Sequence, residues 1–187
     1  MFEFIVVSSS ASADCAPAIS ASRAGAIGVA DLTFVRDPAD AFQRVTRLST
    51  LSHGRWGVLV DDEALLAGVI GADPEGLESI LVSSTDVQTL GRLVNQTHVA
   101  GRRALAVATS LEQAVAAHAA GAAAVIAKGN EAAGWIGDEG AFILLQRFVH
   151  ELPIPVWVHG GVGLHTVAAA YAGGAAGAVL DAQVLLT

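Results

Sequence analysis

Apolar positions in this chain fall into short continuous runs. Between them lie longer stretches where apolar residues recur every three or four positions. The short runs are Phe4–Val7, Ala26–Val29, Trp56–Val60, Glu78–Val82, Ala104–Val107, Ala123–Ile126, Pro155–Val158 and Ala178–Leu180. Their length and largely unbroken apolar character predict strands buried on both faces of a sheet. The stretches between them predict helices over Cys15–Arg23, Pro38–Ser49, Glu63–Ile70, Asp86–Val99, from the Thr109-Ser110 cap to Ala120, and over Phe142–Val149 and Leu164–Ala172. Local signals agree. Asp37 stands where an N-cap belongs, Pro38 takes the first helical position, and Ala41, Phe42, Val45 and Leu48 share one face. Phe142, Leu145, Phe148 and Val149 define a second such face, and Gly121 and Gly173-Gly174 close their helices.

Strands alternating with helices imply parallel βαβ units. Eight strands with seven intervening helices predict a (β/α)₈ TIM barrel, compact at 187 residues against a typical ~250. An open doubly wound sheet is the alternative; the absence of a Gly-rich dinucleotide turn after the first strand favours the barrel. No internal linker is legible, so residues 1–187 read as one domain, expected to be the front part of a longer multidomain synthase. No eighth helix follows the last strand. A strip between the first and seventh helices, lined by Ala16, Ala18, Ile19, Ala168, Ala169 and Tyr171, is therefore expected to be covered by a second copy or by neighbouring sequence.

Composition narrows the class. With 53% hydrophobic and 15% charged residues and a mean hydropathy of +0.55, the chain is not intrinsically disordered. A net charge of -8 argues against a sequence-independent nucleic-acid binder. The apolar stretches Ala114–Ala127 and Ala168–Leu180 are broken by glycines and, in the first, His118. Both fall short of the ~20 residues a membrane span needs. Without a basic, apolar leader, a cytoplasmic location is expected. The single cysteine, Cys15, excludes an internal disulfide or a thiolate zinc cluster and reads as a small buried residue. Asp61-Asp62-Glu63 is better explained by helix capping than by a metal, so no metal site is expected. Of ten basic residues, nine are arginine, and Lys128 is the only lysine.

In a barrel, chemistry sits at the C-terminal ends of the strands. Lys128 to Gly137, with Glu131, follows the sixth strand. His159, Gly160, Gly161 and Gly163 follow the seventh, and Asp181, Ala182 and Gln183 the eighth. The glycines have the form of a phosphate cradle ahead of a helix N-terminus, or else of a tight strand-to-helix connection. Glu131 either positions a substrate or holds the loop. His159 is either a base or a structural histidine, and His165 either contacts a phosphate or is a surface residue. Lys128, at the mouth, either forms a Schiff base with a carbonyl substrate or pairs with Glu131 or Asp181.

Several of these segments resemble one family. Gly129-Asn130-Glu131-Ala132-Ala133-Gly134-Trp135-Ile136-Gly137, Ile154-Pro155-Val156 with Gly160-Gly161-Val162, Ala172–Ala178 and Ser22–Gly28 are similar, in order, to the loops of nitronate monooxygenases, formerly 2-nitropropane dioxygenases. The resemblance implies an FMN-binding barrel. Phe142–Arg147 and Gly163–Thr166 resemble a divergent branch found as a domain of type I polyketide and polyunsaturated-fatty-acid-type synthases, where a related flavin barrel is an enoyl reductase. The family resemblance implies FMN phosphate at Gly160, Gly161, Gly163, Asp181 and Ala182; Lys128, Glu131 and His159 are the catalytic candidates on their own chemistry. Two positions depart from the family. Trp135 stands where it has a catalytic histidine, and an indole accepts no proton. Asp181 stands where backbone N–H groups should meet the phosphate, a repulsion of about 1 kcal/mol or more.

Three functions follow. The first is an FMN-dependent oxidoreductase domain acting on a small carbon acid or acyl thioester. The second is a flavin-free barrel serving as a docking module, and the third a Lys128 Schiff-base lyase. The expected partners are other synthase domains or a homodimer partner, with neither nucleic acid nor membrane.

Overall fold

The computed structural model describes residues 2–181 and 184. The elements run β1 (Glu3–Ser8), α1 (Ala16–Arg23), β2 (Ile27–Asp31), α2 (Pro38–Leu51), β3 (Trp56–Val60), α3 (Glu63–Ala72), β4 (Leu77–Ser83), α4 (Val87–Val99), β5 (Arg103–Ala108), α5 (Leu111–Ala119), β6 (Ala124–Lys128), α6 (Ala141–Glu151), β7 (Val156–His159), α7 (Leu164–Ala172) and β8 (Gly177–Leu180). The strands close into a barrel in sequence order. Closure is direct: β1 pairs in parallel with β8 from Glu3↔Gly177 to Val6↔Leu180. That pairing decides against the open sheet. No eighth helix occurs among the described residues.

Local chemistry explains the boundaries. The Asp37, Asp62, Asp86 and Ser110 side chains accept backbone N–H bonds at the starts of α2, α3, α4 and α5. Each satisfies a donor that the first helical turn leaves unpaired. Helix α1, built from small residues, lies so close to the sheet that a Cβ on Gly28 would fall 1.9 Å from the Ala18 carbonyl oxygen. Such contacts let a short chain close a full barrel.

Two apolar layers result. The larger lies between strands and helices and includes Leu48, Leu66, Leu90, Leu93, Leu145 and Phe148. The smaller fills the barrel: Ile5 and Val7 of β1, Ile27 and Val29 of β2, Leu81 of β4, Leu105 and Val107 of β5, Ala124 and Ile126 of β6, Trp157 of β7 and Val179 of β8, with Leu59 of β3 packed against them.

Three details differ from the sequence reading. The buried face of α6 is Ala141, Leu144, Leu145 and Phe148, while Val149 is 37% exposed. Strand β6 runs on to Lys128 instead of ending at Ile126, because its register with β7 continues to Lys128↔His159. In the strip expected between the outer helices, Ala18 and Ile19 are buried in the strand–helix core, whereas Ala168, Ala169 and Tyr171 are exposed. Among the described residues no helix is long and apolar enough to cross a membrane.

Candidate functional site

Side chains on a strand alternate between its two faces, so the residue two positions past an inward-facing one also faces inward. Extending the interior layer by that step toward the C-terminal end of every strand gives Ser9, Asp31, Asp61, Ser83, Thr109, Lys128, His159 and Asp181. All eight line one cavity of about 510 Å³ at that end of the barrel. Its floor is the apolar interior: Val7, Leu59, Leu81, Val107, Ile126 and Val179. Its lip carries Phe34 and Trp135, which are 48% and 65% exposed. The barrel thus changes from apolar to polar between one inward layer and the next.

The polar layer is unevenly paired. His159 Nε2 and Asp181 Oδ2 are 3.0 Å apart, so the carboxylate fixes the orientation of a nearly buried imidazole. Asp31 Oδ1 accepts from the Thr33 N–H at 2.9 Å and from the Thr33 hydroxyl at 2.7 Å. Burial pushes the Asp61 carboxyl above its usual range, and the nearby Asp31 charge adds to this. Lys128 is the exception. Among the described residues its ammonium makes no hydrogen bond and no ion pair. Burial lowers its pKa below the ordinary lysine value, against the raising pull of Asp31 and Asp181. The loop after β6 passes directly over it: a Cβ at Gly134 would lie 3.4 Å from Lys128 Nζ. Asp31 and Asp181 act on this lysine electrostatically, and Asp61, on which Arg36 acts, lines the same cavity. Among the described residues no His, Cys, Asp or Glu cluster is arranged to hold a metal ion.

The other candidate residues sit differently. Glu131 does not reach Lys128. Its Oε2 accepts the Ala141 N–H at 3.0 Å, which places a carboxylate at the N-terminus of α6. Gly160 and Gly161 have φ of 118° and 59°, a conformation that favours glycine. Neither they nor Gly163 line the cavity. A Cβ at Gly160 would lie 3.2 Å from Glu131 Oε2, so the β6 loop packs into the space beside the turn. The Gly163 N–H donates to Thr166 Oγ1 at 2.5 Å, which occupies the donor at the start of α7. Asp181 lines the cavity, while Ala182 and Gln183 lie outside the described residues. His165 is exposed, and Cys15 is buried at the start of α1.

The sequence reading passed over Asp31 and gave Asp61 to a helix cap. In the structure Asp62 makes that cap, accepting from the Leu65 N–H at 2.7 Å, and Asp61 turns into the mouth. The period-two rule applied to Val29 and Leu59 is the signal that finds both.

Among the described residues, the positions that the resemblance gives to the FMN phosphate offer it few free donors. A phosphate needs N–H donors or cations. Here the cradle glycines do not line the cavity, the Gly163 N–H is already bonded to Thr166, Asp181 brings a carboxylate to the mouth, and Ala182 lies outside the described residues.

Fold and site together define a TIM barrel with a polar-rimmed cavity at the C-terminal end of its strands. The family model described as nitronate monooxygenase matches residues 78–187, more than half of the chain. The chain belongs to the nitronate monooxygenase family. FabK from Thermotoga maritima is 21% identical with a TM-score of 0.83, covering 100% of this chain and 60% of that one. Nitroalkane oxidase from Streptomyces ansochromogenes is 23% identical with a TM-score of 0.76, covering 96% of this chain and 65% of that one. N-acetylmannosamine-6-phosphate 2-epimerase from Clostridium perfringens is 18% identical with a TM-score of 0.73, covering 97% and 87%. At these identities the likeness shows the fold alone. The chain spans less than two thirds of the length of FabK and of nitroalkane oxidase. No curated protein matches it.

Proposed function

We propose that the chain is a nitronate monooxygenase-type barrel of a cytoplasmic polyketide or polyunsaturated-fatty-acid-type synthase. It takes an uncharged, carbonyl-containing carbon acid or acyl group into its mouth and works on it by acid–base chemistry, without FMN. The observation that carries this reading is the inward polar layer, with Lys128, His159 and three carboxylates around one cavity above an apolar floor. In that layer Lys128 is the group that meets a substrate carbonyl. The His159–Asp181 pair is the group to move a proton at the adjacent carbon. An apolar floor and an aromatic lip suit an acyl chain. The three carboxylates disfavour an anionic substrate. The stretches Phe142–Arg147 and Gly163–Thr166 support the synthase setting. The exposed stripe Leu164, Ala168 and Tyr171 on α7 supports a partner there, either another synthase domain or a second copy.

Family membership favours a second reading. In it the barrel is an FMN-dependent oxidoreductase, enoyl reductase-like, since the matched span includes the loops after β6, β7 and β8. One titration separates the two. FMN added to the protein and followed by flavin fluorescence and by absorbance near ~450 nm should show no saturable binding up to millimolar concentration. Tight binding by the unaltered chain would overturn the first reading in favour of the second.

A further inference from the structure

We propose that Lys128 is a carbonyl-capturing nucleophile: it forms an imine with an uncharged aldehyde or ketone bound in the mouth of the barrel. The inference deepens the acid–base reading and rests on the same cavity.

Three independent observations support it. First, Lys128 Nζ is at the cavity wall with no hydrogen bond or ion pair among the described residues, so its lone pair is not committed once the proton leaves. Second, the groups facing it come from four other elements: Asp31 ends β2, Asp61 follows β3, His159 ends β7 and Asp181 follows β8. Third, burial favours the neutral amine that attack requires, even with two carboxylates pulling the other way. An ordinary structural lysine would instead extend to solvent or close on one of those acids.

The step balances without any co-reactant. The amine nitrogen bonds to the carbonyl carbon, and the carbonyl π pair goes to oxygen. The resulting hydroxyl takes a proton and leaves as water. Asp61, which lines the same cavity, is placed to relay that proton from the ammonium to the hydroxyl. The nitrogen lone pair then closes the C=N bond. The net change is ammonium plus carbonyl giving iminium plus water, with no oxidation or reduction. The iminium keeps the single positive charge that Asp31 and Asp181 already face. It also acidifies the neighbouring C–H, which His159 is placed to receive.

Because the chain has one lysine, the test is unambiguous. Protein is incubated near neutral pH with acetaldehyde or with the N-acetylcysteamine thioester of acetoacetate, then reduced with sodium borohydride and mapped by peptide mass spectrometry. The adduct is expected on Lys128, at a rate at least tenfold above that of an N-acetyl-lysine amide at the same pH. Lys128→Met should lose the adduct while keeping the fold by circular dichroism. Modification only at the N-terminal amine, or at Lys128 no faster than the model amide, would overturn the proposal. The FMN titration is unaffected by that outcome, so the two readings fail separately.

Discussion

At the N-terminal mouth of the barrel, Arg55 meets Glu78 through two bonds of 2.7 Å and also reaches Glu3. Arg103 closes the network, 3.3 Å from Glu78 and 3.7 Å from Glu3. Two cations there face two carboxylates. At the C-terminal mouth Lys128 shares a cavity with Asp31, Asp61 and Asp181, and among the described residues it makes no hydrogen bond or ion pair with them. Both ends are charged, yet at the upper one the lysine, among the described residues, is left out of the pairing that joins His159 to Asp181. The difference is one of geometry. At the lower end the planar guanidinium forks match carboxylates directly. Trp157 fills the interior behind them, with Arg103 stacked 5.9 Å from its ring. At the upper end the same ring of strands opens into a cavity, and the charged groups are spread around its wall. The lower network closes on itself, whereas the amine left without a bond among the described residues lies in a desolvated cavity.

The largest effect expected from breaking this contrast is at the lower mouth. Arg55→Ala should cost about 1 kcal/mol at neutral pH, because the network is partly solvated. In a thermal melt that is a fall of roughly 2–4 °C. The Arg55 hydrogen bond holds the Glu78 carboxyl below its usual range. The stabilisation is therefore present above the unfolded carboxyl pKa and is lost as pH falls through the folded one. The melting difference between Arg55→Ala and the unaltered chain should shrink in acid. A constant difference would mean that the arginine acts by packing its stem.

A smaller effect of opposite sign is expected at the upper mouth. Lys128→Met removes a desolvated charge and should stabilise by under about 1 kcal/mol at neutral pH. Folding lowers the Lys128 pKa, so the native chain loses this proton before the unfolded chain does. The penalty is present at low and neutral pH and relieved as pH rises toward the ordinary lysine value. The gain from Lys128→Met, read by urea unfolding, should therefore fade with rising pH. A clear loss of stability at neutral pH would show Lys128 to be a structural ion-pair partner.

Much of this architecture is legible in residue patterning. Runs such as Trp56–Val60 and Leu164–Ala172 have the same bounds in pattern and in structure, because strand pairing and the glycine stop leave no choice. The site was legible only in part. Lys128, His159 and Asp181 stand out as chemical residues beside glycine-rich loops. Asp31 follows the unremarkable Val29-Ala30 and carries no motif, and Asp61 hides in an acidic run whose next member is the true cap. What joins them is three-dimensional: each sits two residues beyond the last apolar interior side chain of its strand. The glycine turn misleads for a related reason. Its sequence suits an anion, but Glu131 of the β6 loop and Thr166 in the first turn of α7 occupy its surroundings.

The central claim is that the upper mouth keeps one unpaired, desolvated amine, and the sole lysine makes this directly measurable. Protein labelled with ¹³Cε-lysine gives one lysine resonance, whose chemical shift can be followed from neutral to alkaline pH in the native and urea-unfolded chain. The account expects the native midpoint to fall clearly below the unfolded one. A native midpoint at or above the unfolded value would place Lys128 in an ion pair and contradict it.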